Sequence, residues 1–179
     1  VLLLHWEALR SVQAVVVPVF TGLVATALAI GIYGWLRLPL DTYAVLAPIL
    51  ILAVGAGHSV QLLKRYMEEI RERVPAGTKA DKTQNNAAVQ ATIEAMGPVL
   101  TLAVGGAASC LFALLLLDVA ALARFGFLAG SGIWMALVLE LTLVPAIRVL
   151  LPRPKVRANY GELSGFWQRN LRRVGRVAL

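Results

Sequence analysis

Charge is what this sequence has least of. Asp, Glu, Lys and Arg make up only 15% of its 179 residues, against 59% from the AVILMFWYC set. A soluble domain carries roughly 25% charged residues. A water-exposed surface of ordinary composition is therefore excluded, and a soluble enzyme with it. Disorder is excluded by the same figures, because disordered chains are poor in apolar residues. One cysteine, Cys110, permits no intrachain disulfide and no cysteine-built metal site. Of the two histidines only His58 lies in an apolar stretch, and no GxxxxGK[ST], HExxH or GxSxG motif occurs. With no clustered His, Cys or carboxylates, no metal, cofactor or catalytic residue is expected. Nothing after Val1 reads as a signal peptide. The chain is expected to be a piece of a longer protein.

Long apolar runs are what is there. A hydrocarbon core of about 30 Å takes about 20 helical residues. Residues 11–36, 42–63 and 95–117 are free of charge, and 125–147 is interrupted only by Glu140. These runs predict transmembrane helices near 14–36, 42–63, 97–117 and 125–149. They lack the two-residue alternation of barrel strands. The expected class is all-α, a polytopic membrane bundle of four transmembrane helices plus cytoplasmic amphipathic helices. Residues 1–13 read as the end of a preceding transmembrane helix and a cytoplasmic turn. Residues 14–150 read as the bundle, with a cytoplasmic loop at 64–96, and 151–179 as a basic amphipathic linker.

The net charge of +7 reports orientation rather than nucleic-acid binding. Fifteen of the 17 Lys and Arg residues fall at Arg10, in 64–94, or from Arg148 onward. The turns at 37–41 and 118–124 hold only Arg37 and Arg124. The positive-inside rule places both chain ends in the cytoplasm of a multi-pass cell-membrane protein. The second span is expected to continue as helix over 64–73, with Lys64/Glu68, Arg65/Glu69 and Glu69/Arg73 at i,i+4. After a break at 74–77, Asn85 and Asn86 are expected to cap a short surface helix leading to Gly97 and Pro98. In the tail, Arg169, Arg172, Arg173 and Arg176 oppose Leu163, Phe166, Trp167 and Leu171, a pattern suited to the lipid headgroup layer.

Gly55, Gly57, Gly105, Gly106, Gly126 and Gly130 are expected at helix contacts, since small residues let membrane helices approach closely. Ionisable groups deep in a span are costly and point to function. His58 and Glu140 are such groups, at similar depth on two helices that run in the same direction. Each is either a proton carrier or a hydrogen-bonded structural residue, and Gln61 lies one turn from His58.

The order of features carries a resemblance. It runs through Gln61-Leu62-Leu63-Lys64-Arg65-Tyr66-Met67-Glu68-Glu69, then Ala91-Thr92-Ile93-Glu94-Ala95-Met96-Gly97. It continues through Arg124-Phe125-Gly126-Phe127-Leu128-Ala129-Gly130 and Leu141-Thr142-Leu143-Val144-Pro145. This resembles the membrane domain of the RND superfamily, on the branch of MMPL-type and hydrophobe/amphiphile exporters and the related sterol-sensing domains. The resemblance implies a partial repeat of a bacterial inner-membrane exporter, driven by protons and moving amphiphilic or lipid-like molecules. It implies as partners the bilayer, such a substrate, a second repeat of the full-length chain and further copies in a homo-oligomer. The alternative is a sterol-sensing-like domain that binds lipid and regulates without transport. Many family members carry a relay aspartate in the fourth helix. Alignment on Leu62 to Tyr66 puts Gly57 at that position and His58 after it. Either His58 carries the proton, or the other half does, or the repeat is uncoupled.

Overall fold

The computed structural model describes residues 12–75 and 77–150. Four helices long and apolar enough to cross a membrane make up nearly all of it. They are α1 (Val12–Trp35), α2 (Ala47–Arg73), α3 (Lys82–Ala113) and α4 (Ala120–Leu150). Short 3₁₀ turns, Ala44–Leu46 and Leu114–Leu116, precede α2 and follow α3. The expectations for 1–11 and 151–179, including Arg169, Arg172, Arg173 and Arg176, fall outside the described residues.

The turn between α1 and α2 is built by its own polar groups. Arg37 takes a left-handed conformation at φ 53°. The Tyr33 hydroxyl donates to the Pro39 carbonyl at 2.9 Å. Asp41 Oδ1 accepts from the amides of Tyr43 (3.1 Å) and Ala44 (2.9 Å), satisfying donors that a helix start leaves free. Pro48 then sits in the first turn of α2, where its missing N–H costs nothing.

Three sequence expectations about helix ends are corrected by the structure. The surface helix and the third span are one helix, α3, which passes through Gly97 and Pro98 without a break. Pro98 removes only one backbone donor, and the helix on either side holds the turn. Its cap is Asp81, in a capping box with Gln84, and not Asn85 and Asn86. Asn85 is buried instead. The second turn is also shorter than 118–124, because α4 begins at Ala120 and takes Arg124 into its first turns.

α4 is the central helix and packs against α1, α2 and α3. Toward the short turns the interior is lined with small residues: Ala25, Ala29, Ala44, Ala47 and Ala129 are fully buried around Ile51 and Leu128. Small side chains allow the close approach that binds helices where lipid gives no hydrophobic drive. A second cluster joins Leu62, Leu63, Leu100, Val104, Ile133, Leu137 and Val144. Outward-facing apolar residues such as Leu102 (79% exposed) and Ile49 (67%) suit a lipid surround.

α2 is 27 residues long, about 40 Å at 1.5 Å per residue, longer than the hydrocarbon core. Its last turns carry the charge. Glu69 is buried, and both Arg65 and Arg73 pair with it. Lys64 forms no pair with Glu68, which lies 3.9 Å from Arg65 instead. Tyr66, Ile70, Val74 and Ala88 close this end beneath the first turns of α3.

Candidate functional site

The polar centre of the bundle is a chain of three side chains on three helices. Glu140 of α4 is 1% exposed. Its Oε1 accepts a hydrogen bond from Ser59 Oγ of α2 at 3.1 Å. Ser59 Oγ lies 3.3 Å from Thr21 Oγ1 of α1. Thr21 Oγ1 is also placed to donate to the carbonyls of Pro18 (2.9 Å) and Val17 (3.1 Å). Glu140 Oε2 is buried with no hydrogen-bond partner. None of the four ion pairs among the described residues includes Glu140.

Local sequence explains why these three meet. Gly55 lies one turn before Ser59, and a Cβ there would stand 3.4 Å from Ala136 Cβ and 3.8 Å from Glu140 Oε1. Its lack of a side chain leaves room for the carboxyl. Thr26, Thr92, Thr101, Ser109 and Thr142 each donate to the carbonyl four residues back on their own helix. Ser59 is different, because its bonds run across helix boundaries. Glu140 lies eight residues before Arg148, roughly 12 Å along the axis, which places the carboxyl at hydrocarbon depth. An ionised carboxylate there is expensive without a countercharge. Two hydroxyls and an open oxygen are the equipment for holding and passing a proton.

His58 and Gln61 stand apart from this centre. His58 is partly exposed, forms no hydrogen bond to another described residue, and sits one step round the helix from Ser59. That step turns a side chain by about 100°, so adjacent residues cannot face the same partner. Gln61 is exposed, and no hydrogen bond joins it to His58. Among the described residues no three His, Cys, Asp or Glu side chains come together to hold a metal ion.

The glycines divide. A Cβ on Gly126 would stand 2.3 Å from the Leu111 carbonyl oxygen, and one on Gly130 would stand 2.8 Å from the Phe112 ring. α3 and α4 therefore touch at backbone range. Gly57, Gly105 and Gly106 are corrected: a Cβ at each would meet nothing within 4 Å. They lie on helix faces with no neighbour that close among the described residues. The tightest close approach on α4 lies outside the six glycines expected at helix contacts. A Cβ on Gly132 would stand 2.1 Å from Ile51 Cδ1.

A second polar cluster ties the opposite end of the bundle. Tyr66 Oη donates to Asn85 Oδ1 at 2.5 Å, and Asn85 Nδ2 donates to the Arg148 carbonyl at 3.4 Å. The Arg148 guanidinium lies 5.3 Å from the centre of the Tyr66 ring. α2, α3 and α4 are thereby joined at one level.

Ser59 and Thr21 are the partners that sequence reasoning missed. Ser59 was legible only as a small residue. Thr21 was hidden in a long apolar run, three residues after Pro18.

The family model for the MMPL family matches residues 1–179. The chain is 31% identical over 144 residues to the membrane protein MJ1562 of Methanocaldococcus jannaschii, covering 80% of this chain and 35% of that protein. It is 32% identical over 158 residues to the hopanoid transporter HpnN of Burkholderia multivorans, covering 86% of this chain and 16% of that protein. The chain thus spans about a third and a sixth of the lengths of these two relatives. No solved structure matches it.

Proposed function

The chain belongs to the MMPL family, as part of an RND-type transporter membrane domain, and from that premise we propose that it serves proton-driven export of amphiphilic or lipid-like molecules, with Glu140 as the proton carrier. The observation that carries this reading is the buried carboxyl at the junction of α1, α2 and α4, bonded to a hydroxyl chain and to no cation among the described residues. A group of this kind is costly in a membrane interior, and function is the ordinary reason for keeping it. Similarity to a hopanoid transporter supports a lipid-like cargo. The outward-facing apolar surface supports contact with the bilayer. Gly57, Gly105 and Gly106, open among the described residues, offer faces for a second repeat or a further copy. The 15-to-2 split of basic residues supports a cell-membrane orientation with the 64–96 segment and both ends in the cytoplasm.

The test uses the full-length protein in proteoliposomes under an imposed pH gradient, with a dye-labelled lipid as cargo and an entrapped pH dye. Native protein should couple cargo movement to proton flux, and Glu140→Gln should lose both while retaining its fold. Cargo movement that is indifferent to the gradient, or unchanged in Glu140→Gln, would refute the reading.

A further inference from the structure

Resting on the reading of Glu140 as a proton carrier, we infer that Thr21 and Ser59 form a hydrogen-bond chain whose direction reverses with the state of Glu140, delivering that state to the turn of α1 at Pro18. Ser59 is fully buried, and its hydroxyl reaches two oxygens, Glu140 Oε1 at 3.1 Å and Thr21 Oγ1 at 3.3 Å. A hydroxyl has one proton to donate. Thr21 also has one, with three acceptors in reach: Ser59 Oγ, the Pro18 carbonyl and the Val17 carbonyl.

An ionised carboxylate only accepts. Ser59 then donates to Glu140, and Thr21 donates to Ser59. When Glu140 takes up a proton at Oε1 it becomes a donor toward Ser59 Oγ. The Ser59 proton then turns to Thr21 Oγ1, and the Thr21 proton turns to a carbonyl of α1. Only the proton on Glu140 is gained or lost. The other two swing about their C–O bonds, and no covalent bond changes.

The receiving turn is where a helix is weakest. Pro18 has no N–H, so the carbonyl four residues earlier lacks its helical donor. The carbonyls of Val17 and Pro18 serve the amides of Thr21 and Gly22 in the next turn. A hydroxyl that donates to those same carbonyls competes with the amides and bends the helix. The ionised state leaves the carbonyls to the amides, and the neutral state loads them.

Few other groups interfere. Between Val12 and Trp35, α1 carries no charged residue, and its one titratable group is Tyr33 at the far end. On α2 the neighbouring titratable group is His58, followed by Lys64 and Arg65. α3 contributes Lys82, Glu94 and Cys110, and α4 itself Arg124 and Arg148. No hydrogen bond or ion pair joins any of these to Glu140, whose bonded partner is Ser59.

The experiment follows amide hydrogen exchange in a peptide covering residues 17–24, in the full-length protein in lipid nanodiscs. Rates are corrected for the intrinsic pH dependence of exchange. Native protein should show a step from alkaline to acid pH, with exchange about fivefold faster on the acid side, the worth of one net hydrogen bond. Glu140→Gln, which cannot ionise, should show no step across the same pH range. Ser59→Ala should remove the step, and Thr21→Ser should keep it. If Ser59→Ala does not fold, Thr21→Val, which keeps the branched shape without the hydroxyl, must remove the step equally. A native protein without the step, or a step that survives in Glu140→Gln or Thr21→Val, overturns the inference. Because exchange is read without transport, the chain can fail this test while Glu140 remains the proton carrier.

Discussion

Arg124 Nη1 lies 3.3 Å from Asp41 Oδ2, so the turn between α1 and α2 is joined to the start of α4 across the end of the bundle. The same carboxylate caps the turn before α2 through its other oxygen. The two short turns therefore share one end, and the 74–81 connection occupies the other. Both side chains are partly exposed, so the pair itself stabilises by no more than about 1 kcal/mol. Its value is topological. Cysteines placed at Leu40 and Lys79, in a Cys110→Ser background, should label oppositely with an impermeant thiol reagent in intact cells. The expected outcome is labelling at residue 40 and none at residue 79, following the distribution of basic residues. Equal labelling would refute the topology.

The glycines give graded outcomes. Gly126→Ala forces a Cβ against the Leu111 backbone carbonyl and the Leu114 Cβ. Backbone cannot swing aside, so this variant should cost about 1–3 kcal/mol and lower the unfolding temperature in detergent. Gly130→Ala meets only the Phe112 ring, a side chain that can shift, and should cost less. Gly106→Ala meets nothing within 4 Å. It should be neutral or gain up to about 1 kcal/mol from helix propensity in the isolated chain. Equal melting temperatures for Gly126→Ala and Gly106→Ala would show that α3 and α4 do not touch as described.

The long-range part of the fold was legible where physics acts on runs of residues. Hydrocarbon thickness selected the four spans. Detail was lost where a single contact decides. Pro98 looked like a boundary, yet one missing N–H does not end a helix that is otherwise bonded on both sides. Asn85 looked like a cap because of its residue type, whereas Tyr66 takes it into the interior. His58 stood out because it titrates, but helix phase places its neighbour Ser59 against Glu140. Phase cannot be read from an apolar run that is hydrophobic on every side.

Asn85 is the pivot of the end opposite the short turns. It is 2% exposed and bonds to the Tyr66 hydroxyl and the Arg148 carbonyl at once. Asn85→Ala strands both groups, so it should cost about 1–3 kcal/mol. Tyr66→Phe removes one bond and leaves the ring beneath Arg148, so it should cost about 1 kcal/mol. Because they share a bond, the double variant should be less destabilised than the sum of the two, by 0.5 kcal/mol or more, roughly the coupling of contacting residues. Strict additivity in urea or thermal unfolding would show that the pair is not coupled.

Their surroundings separate His58 and Glu140, the two ionisable residues deep in the spans. An imidazole titrates near neutral pH in water, but His58 is partly exposed, and among the described residues no hydrogen bond or chain of polar groups leads from it. Glu140 is buried and linked through Ser59 to Thr21. A relay needs partners that receive the proton or respond to it, so only Glu140 has the surroundings of one. In full-length protein under an imposed pH gradient, Glu140→Gln should lower proton-driven flux by about 100-fold, the usual worth of a positioned proton-transfer group. Glu140→Asp pulls the carboxyl back by one methylene from Ser59 and should fall between Glu140→Gln and native. His58→Gln keeps hydrogen-bonding capacity without a titratable proton, and should retain native flux to within about twofold. Gln61→Ala should do the same. Comparable loss in His58→Gln and Glu140→Gln would return His58 to the relay. Full flux in Glu140→Gln with loss in His58→Gln would assign the relay to His58 alone and leave Glu140 a structural acceptor for Ser59.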